Sequence, residues 1–275
     1  VKRLGLAISL LAAGCATQAP PASSAIPPRG APLSSAQGSA GKLSVDDGGS
    51  GGLPVLFVHG NGGNKSQWSA QLVHLRPARR AIAFDLRGMG QSAPAGNGDY
   101  SVEAFASDVA AVADAAGLSR FVLVGHSFGG AVVCAYAGQH PERLAGLVFA
   151  DVAGDLTATP ADQVEGLRRG LDPANFDQFT DAWFASILGS ATPATRSAVL
   201  ASLRATPREV FRGASLSLFA FHLNDALARY SGPRLSIASL LAEKPNAIHR
   251  TVQGIPVEVI PDASHWLMMD KPDEF

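Results

Sequence analysis

From residue 53 onward the chain alternates short apolar runs with longer stretches whose apolar positions recur at helical spacing. The runs at 54–58, 80–84, 121–124, 144–150, 233–239 and 257–260 are short and rich in Val, Ile, Leu and Phe, which predicts buried strands. Between them, 101–117 sets Val102, Phe105, Val109, Val112 and Ala116 on one helical face, with Ser101 placed to cap and Gly117 to end it. Further helices are predicted at 65–75 and 130–139, the latter a small and apolar run that reads as buried. Short strands separated by helices require right-handed crossovers. The expected fold is therefore α/β, a mostly parallel twisted sheet covered by helices on both faces.

The alternation stops between about 156 and 232. Helices are predicted there at 162–170, 175–188, 192–205 and 208–228, with Pro160, Pro173, Pro193 and Pro207 near their starts. This helical insertion carries Phe176, Phe179, Trp183, Phe184, Phe211, Phe219 and Phe221. Most should pack the insertion, and some should line an apolar pocket.

Polar landmarks change this picture from fold to chemistry. His59, Asp85, Ser127 and Asp151 all stand at or just past predicted strand ends, where parallel sheets bind their ligands. Ser127 lies in "LVGHSFGG", between a strand and a helix. Gly125 and Gly129 flank it at two residues, which suits a tight turn that presents a strained serine with its hydroxyl outward. A serine capping a helix after a glycine turn is the competing reading of this pentapeptide taken alone.

Four segments occurring together decide between them. "HGNGG", "DLRGMGQS", "GHSFGG" and a late "DASHW" stand in the order and context of the α/β-hydrolase family, and the chain over 53–275 resembles its catalytic domain. The resemblance implies Ser127 as nucleophile and His265, on the loop after the last strand, as general base. It implies backbone N–H groups of Asn61 and Phe128 as the oxyanion donors. It also makes the insertion at 156–232 the family's cap. Asp85 and Arg87 are expected to hold loops together, as is His59, and His126 flanks the nucleophile. The final "DKPDEF" resembles the opening of the family's last helix, so that helix is expected to be cut short.

The carboxylate that should orient His265 has two principal candidates. Asp151 ends the strand after the nucleophile helix, where some family members carry the acid. Glu243, in "LLAEKP", follows the strand preceding the histidine strand, where the family more often has an aspartate in a Gly-x-x-Asp turn that is absent here. Asp155 and Asp262 are lesser alternatives.

Composition removes other classes. Charged residues make up 16% and the net charge is −1, with no basic patch to suit nucleic acid. Two cysteines, Cys15 and Cys134, give neither a disulfide framework nor metal-ligand spacing, and Cys134 reads as a packed thiol. The implied chemistry calls for no metal and no organic cofactor.

The N-terminus reads differently. Val1-Lys2-Arg3, the apolar run 4–13 and "LAAGC" have the layout of a secretory signal, and the last five residues resemble a bacterial lipobox with Cys15 as the lipidated residue. Ala12 stands where the lipobox prefers leucine. Residues 16–52, rich in Ala, Pro, Ser and Gly, are expected to form a flexible linker. The sequence thus predicts an exported, lipid-anchored serine hydrolase acting on small carboxylic esters. Amidase, lactonase, C–C hydrolase and cofactor-free haloperoxidase chemistry stay open. So does a non-catalytic surface binding protein. Serine at the nucleophile position argues against haloalkane dehalogenase and epoxide hydrolase chemistry.

Overall fold

The computed structural model of the chain describes residues 32–275. The predicted leader, the lipobox with Cys15 and the start of the predicted linker lie outside the described residues.

Eight strands form one sheet: β1 (Ser35–Gly38), β2 (Gly41–Gly48), β3 (Val55–Val58), β4 (Ala81–Phe84), β5 (Phe121–His126), β6 (Leu144–Ala150), β7 (Arg234–Ala238) and β8 (Val257–Val259). Their order is β1-β2-β4-β3-β5-β6-β7-β8. Strands β3 to β8 pair in parallel, and β2 joins β4 antiparallel. The chain runs outward from β3 to β4 and then returns to the other side of β3 for β5. This reversal leaves a crevice beyond the ends of β3 and β5, the place where an open α/β sheet receives a ligand.

The expectation of a linker running to residue 52 is corrected by β1 and β2, which pair with each other and close one edge of the sheet. Within β2, Leu43, Val45 and Asp47 are buried and alternate with more exposed Lys42, Ser44 and Asp46. That is the period-two pattern of a strand. Its few apolar residues, set among small and charged ones, hid it. Asp47 is buried because Arg80 pairs with it at 2.7 Å and the Leu33 N–H donates to it at 3.0 Å.

Helices cover both faces. Helix α2 (Val102–Ala115) and α3 (Phe128–Gln139) bury Phe105, Val109, Val132 and Tyr136 against one face. Ser101 caps α2 by accepting the Ala104 N–H, as its position predicted. On the other face, α1 (Ser69–Leu75) and α10 (Leu267–Asp270) pack Leu72, Leu267 and Met268, together with Trp68, against Phe57 and Val124.

The cap consists of α4 (Ala161–Gly170), α5 (Phe176–Ile187), α6 (Pro193–Ala205), α7 (Arg208–Ser217) and α8 (Leu223–Leu227). The helix predicted over 208–228 is therefore two. Phe221 and Leu223 are both buried, and residues two apart do not share a helical face. The helix ends at Ser217 and restarts at Leu223, which leaves Phe221 in the connecting turn and lets both side chains point inward. A short α9 (Ile248–Thr251) lies between β7 and β8. No helix among the described residues is long and apolar enough to cross a membrane.

Candidate active site

Strand register brings the polar landmarks together. Val58 pairs with Gly125, and His126 pairs with Ala150. His59 to Asn61, Ser127 and Asp151 therefore leave adjacent strands side by side. Ser127 N donates to Ala150 O at 3.1 Å, and Asp151 N donates to Ile237 O at 2.8 Å.

Ser127 has φ 52° and ψ −121°, a conformation that side chains rarely adopt. Close packing imposes it. A Cβ at Gly125 would lie 2.4 Å from Gly129 O, and one at Gly129 would lie 2.6 Å from His59 O. Only glycines let β5 turn this tightly into α3. The turn leaves the α3 N-terminus directly behind the serine, so its free N–H groups and positive dipole end face any negative charge there.

His265 and Asp151 form the central pair. His265 Nδ1 donates to Asp151 Oδ2 at 2.7 Å, with the Asp151 side chain fully buried. Asp151 Oδ1 accepts the N–H groups of Ser239 at 2.9 Å and Leu241 at 3.0 Å. Burial alone would raise the Asp151 pKa. The His265 bond and charge, with the two N–H donors, outweigh it and hold the carboxyl below its ordinary value. With Nδ1 engaged, Nε2 is the His265 nitrogen left for a proton from a group in the cavity.

Glu243, the alternative to Asp151, is not near His265. Its side chain is 87% exposed and pairs with Arg250. Asp155 instead holds its own loop, accepting from Thr157 N at 2.9 Å and from Asn224 N at 3.1 Å. Asp262 is exposed at a left-handed turn.

Asn61 and Phe128 both line the cavity above Ser127. Among the described residues, neither N–H has a backbone partner. The Asn61 side chain is occupied elsewhere, its Nδ2 donating to Phe211 O and to Ser215 Oγ, both at 2.9 Å. His59 braces this loop: Nδ1–H donates to Gly60 O at 2.8 Å, and Nε2 accepts the Leu86 N–H at 3.0 Å. Burial lowers the His59 pKa and keeps the ring neutral, which that bonding pattern needs. Asp85 accepts from Lys65 Nζ at 2.7 Å and Gln91 N at 2.9 Å, while Arg87 grips Asp108 at 2.7 Å. Both therefore hold loops.

Ser127, Asp151 and His265 open on one cavity of about 280 Å³. The cap supplies its roof through Trp183, Phe184, Phe211 and Phe221. Of the other cap aromatics, Phe176 packs within the cap core and Phe179 against Gly170, away from the cavity. Sequence pattern did not mark Leu156, Ile187, Leu240 and Leu241, which also line the cavity. Nor did it reveal the Ser239 and Leu241 donors to Asp151. Leu156, Leu240 and Leu241 lie in loops, where no periodicity signals facing, and Ile187 is the last residue of α5. Among the described residues, no Lys or Arg lines the cavity.

The alpha/beta hydrolase fold family model matches residues 54–272, and the chain belongs to that family. The sn-1-specific diacylglycerol lipase ABHD11 of Danio rerio is 26% identical over 250 residues, covering 84% of this chain and 78% of that protein. A second relative is the dihydrolipoyllysine-residue acetyltransferase component of the acetoin cleaving system of Pseudomonas putida. It is 36% identical over 140 residues, which span 49% of this chain but only 37% of that longer protein. Among solved structures, a thermophilic esterase from Thermogutta terrifontis superimposes with TM-score 0.75 at 27% identity, covering 87% of this chain and 93% of that one.

Proposed function

We propose that the protein is a serine hydrolase that cleaves small, uncharged carboxylic esters through an acyl-enzyme. The observation that carries this reading is the His265–Asp151 pair at 2.7 Å opening on the same apolar cavity as a serine held at φ 52°. The esterase and lipase among its relatives support the same class of chemistry.

In this mechanism Ser127 Oγ attacks the ester carbonyl carbon as His265 Nε2 takes the hydroxyl proton. Asp151 holds the ring in the tautomer with Nδ1–H and stabilises the imidazolium that results. The carbonyl oxygen becomes an oxyanion and accepts from the Asn61 and Phe128 N–H groups. The carbonyl re-forms, the C–O bond to the alcohol breaks, and His265 returns its proton to the departing alkoxide. Water then repeats the cycle on the acyl-enzyme, releasing the carboxylic acid and restoring Ser127.

The substrate class follows from the lining. A carboxylate or phosphate on the substrate would be desolvated here without a Lys or Arg to pair it, so uncharged acyl groups are favoured. Export and lipid anchoring through Cys15 belong to the same proposal. Their support is the leader sequence, and [³H]palmitate incorporation that is lost in Cys15→Ser would test them.

The direct test is reaction of the full chain with a fluorophosphonate, the adduct located by mass spectrometry, beside hydrolysis of p-nitrophenyl butyrate. A Ser127 adduct with ester turnover is the expected result. A folded chain that neither labels nor hydrolyses would overturn the proposal.

A further inference from the structure

His126 is buried completely, immediately before the strained serine. Its Nε2 lies 2.8 Å from the backbone carbonyl of His265. A carbonyl can only accept, so Nε2 carries the proton. Its other nitrogen, Nδ1, is buried without a hydrogen-bond partner among the described residues and faces Gly60, where a Cβ would come within 2.9 Å of it. The ring also lies tilted against those of His265 and Trp266, with centroids 4.8 and 5.7 Å away.

These facts fit poorly with a residue retained only to fill space. A phenylalanine would fill the same volume without burying an unpaired acceptor. The imidazole offers one thing that phenylalanine lacks, the N–H aimed at the main chain of residue 265. That bond joins residues 139 apart. It ties the loop carrying one catalytic candidate to the turn carrying the other.

We infer that His126 is a positioning residue, whose Nε2–H fixes the backbone of His265 against the Ser127 turn. The inference rests on the Ser127–His265–Asp151 triad proposed above. The groups facing the ring are His265, Asp151 and His59. Burial, and then the neighbouring His265, push the His126 pKa down to about 3. The ring therefore stays neutral while the enzyme works. A neutral donor can hold His265 without placing a second positive charge beside the imidazolium that forms during acyl transfer.

Two variants separate positioning from packing. His126→Phe keeps an aromatic ring and removes the donor. His126→Gln can place an amide N–H where Nε2 stood. For p-nitrophenyl butyrate, His126→Phe is expected to lose about 100-fold in kcat with KM changed less than about twofold, as for a misplaced catalytic group. His126→Gln should recover at least about tenfold of that loss. An undiminished kcat in a folded His126→Phe, or equal losses in both variants, would overturn the inference. If His126→Phe fails to fold, nitrogen-15 spectra of the wild-type histidine rings decide instead. A neutral, exchange-protected Nε2–H ring at 126 supports the role, and a bare Nε2 or a charged ring at pH 7 overturns it. A wild type that leaves Ser127 unlabelled would sink the triad reading itself, whatever the variants do. A labelled wild type with an unimpaired His126→Phe would sink only the positioning role.

Discussion

Ser127 and Asp151 stand at strand ends on backbone with φ of 52° and 49°, whereas Trp183, Phe184 and Phe211 stand on regular helices of the cap. The floor of the cavity is fixed by directional bonds, most of them between residues far apart in the chain. The roof is fixed by apolar packing among α5, α6 and α7 and by ion pairs in water, such as Arg208–Asp177. A directional network tolerates little displacement. A packed roof tolerates volume change and mainly sets what fits beneath it. Substitutions in the floor should therefore fall on kcat, and those in the roof on substrate preference.

The sharpest break would be Ser127→Ala. Loss of about 10⁶-fold in kcat is expected with p-nitrophenyl butyrate, together with loss of the fluorophosphonate adduct. Next, Asp151→Asn should lose about 10⁴-fold, because it removes the acceptor that sets the His265 tautomer. Glu243→Gln, measured beside it, should keep full activity, since Glu243 is exposed and paired with Arg250. Loss in Glu243→Gln with retention in Asp151→Asn would reverse the assignment.

Acid should weaken the floor before the roof. Below pH 6.5 the unfolded chain protonates His126, while the folded chain refuses the proton down to about pH 3. The unfolded state then binds more protons, so stability falls with falling pH. The slope is about 1.4 kcal/mol per pH unit for this one group. Urea unfolding between pH 6.5 and 4 measures it, and His126→Gln should lose that part of the slope. His59, also buried with a lowered pKa, adds in the same direction.

On the roof, Trp183→Ala should change kcat/KM by about tenfold and do so selectively, against the acyl chain lengths that reach α5. A uniform loss across butyrate, hexanoate and octanoate esters would show that the cap acts on the chemistry instead. Smallest of all, Arg208→Ala breaks an ion pair whose side chains are 52% and 74% exposed. It should cost under about 0.5 kcal/mol in thermal unfolding, less still at high salt.

The same division explains what could be seen in the sequence. Ser127 was legible as a candidate because glycines and a strand end mark where backbone must turn tightly, whereas His265, Asn61 and Phe128 were reached only through the resemblance of whole motifs. Asp151 could be proposed but not separated from Glu243. That choice depends on which loop reaches His265, a distance set by the β6–β7 register and by no local pattern. The hairpin at 35–48 was missed because its alternating residues are few and sit among small ones. Residues 208–228 were read as one helix because apolar content stays high across the break. In the cap, helical period showed which residues are apolar, but not which of them face a cavity and which face another helix.

The conformation of Ser127 also bears on how the sequence can change. A side chain at φ 52° and ψ −121° is a standing cost to the native state, borne at the residue proposed to do the chemistry. Glycine would relax that turn, and serine there makes sense only for its hydroxyl. Selection for heat resistance alone, blind to turnover, would push position 127 toward glycine. Robustness and reactivity thus pull in opposite directions at this single position.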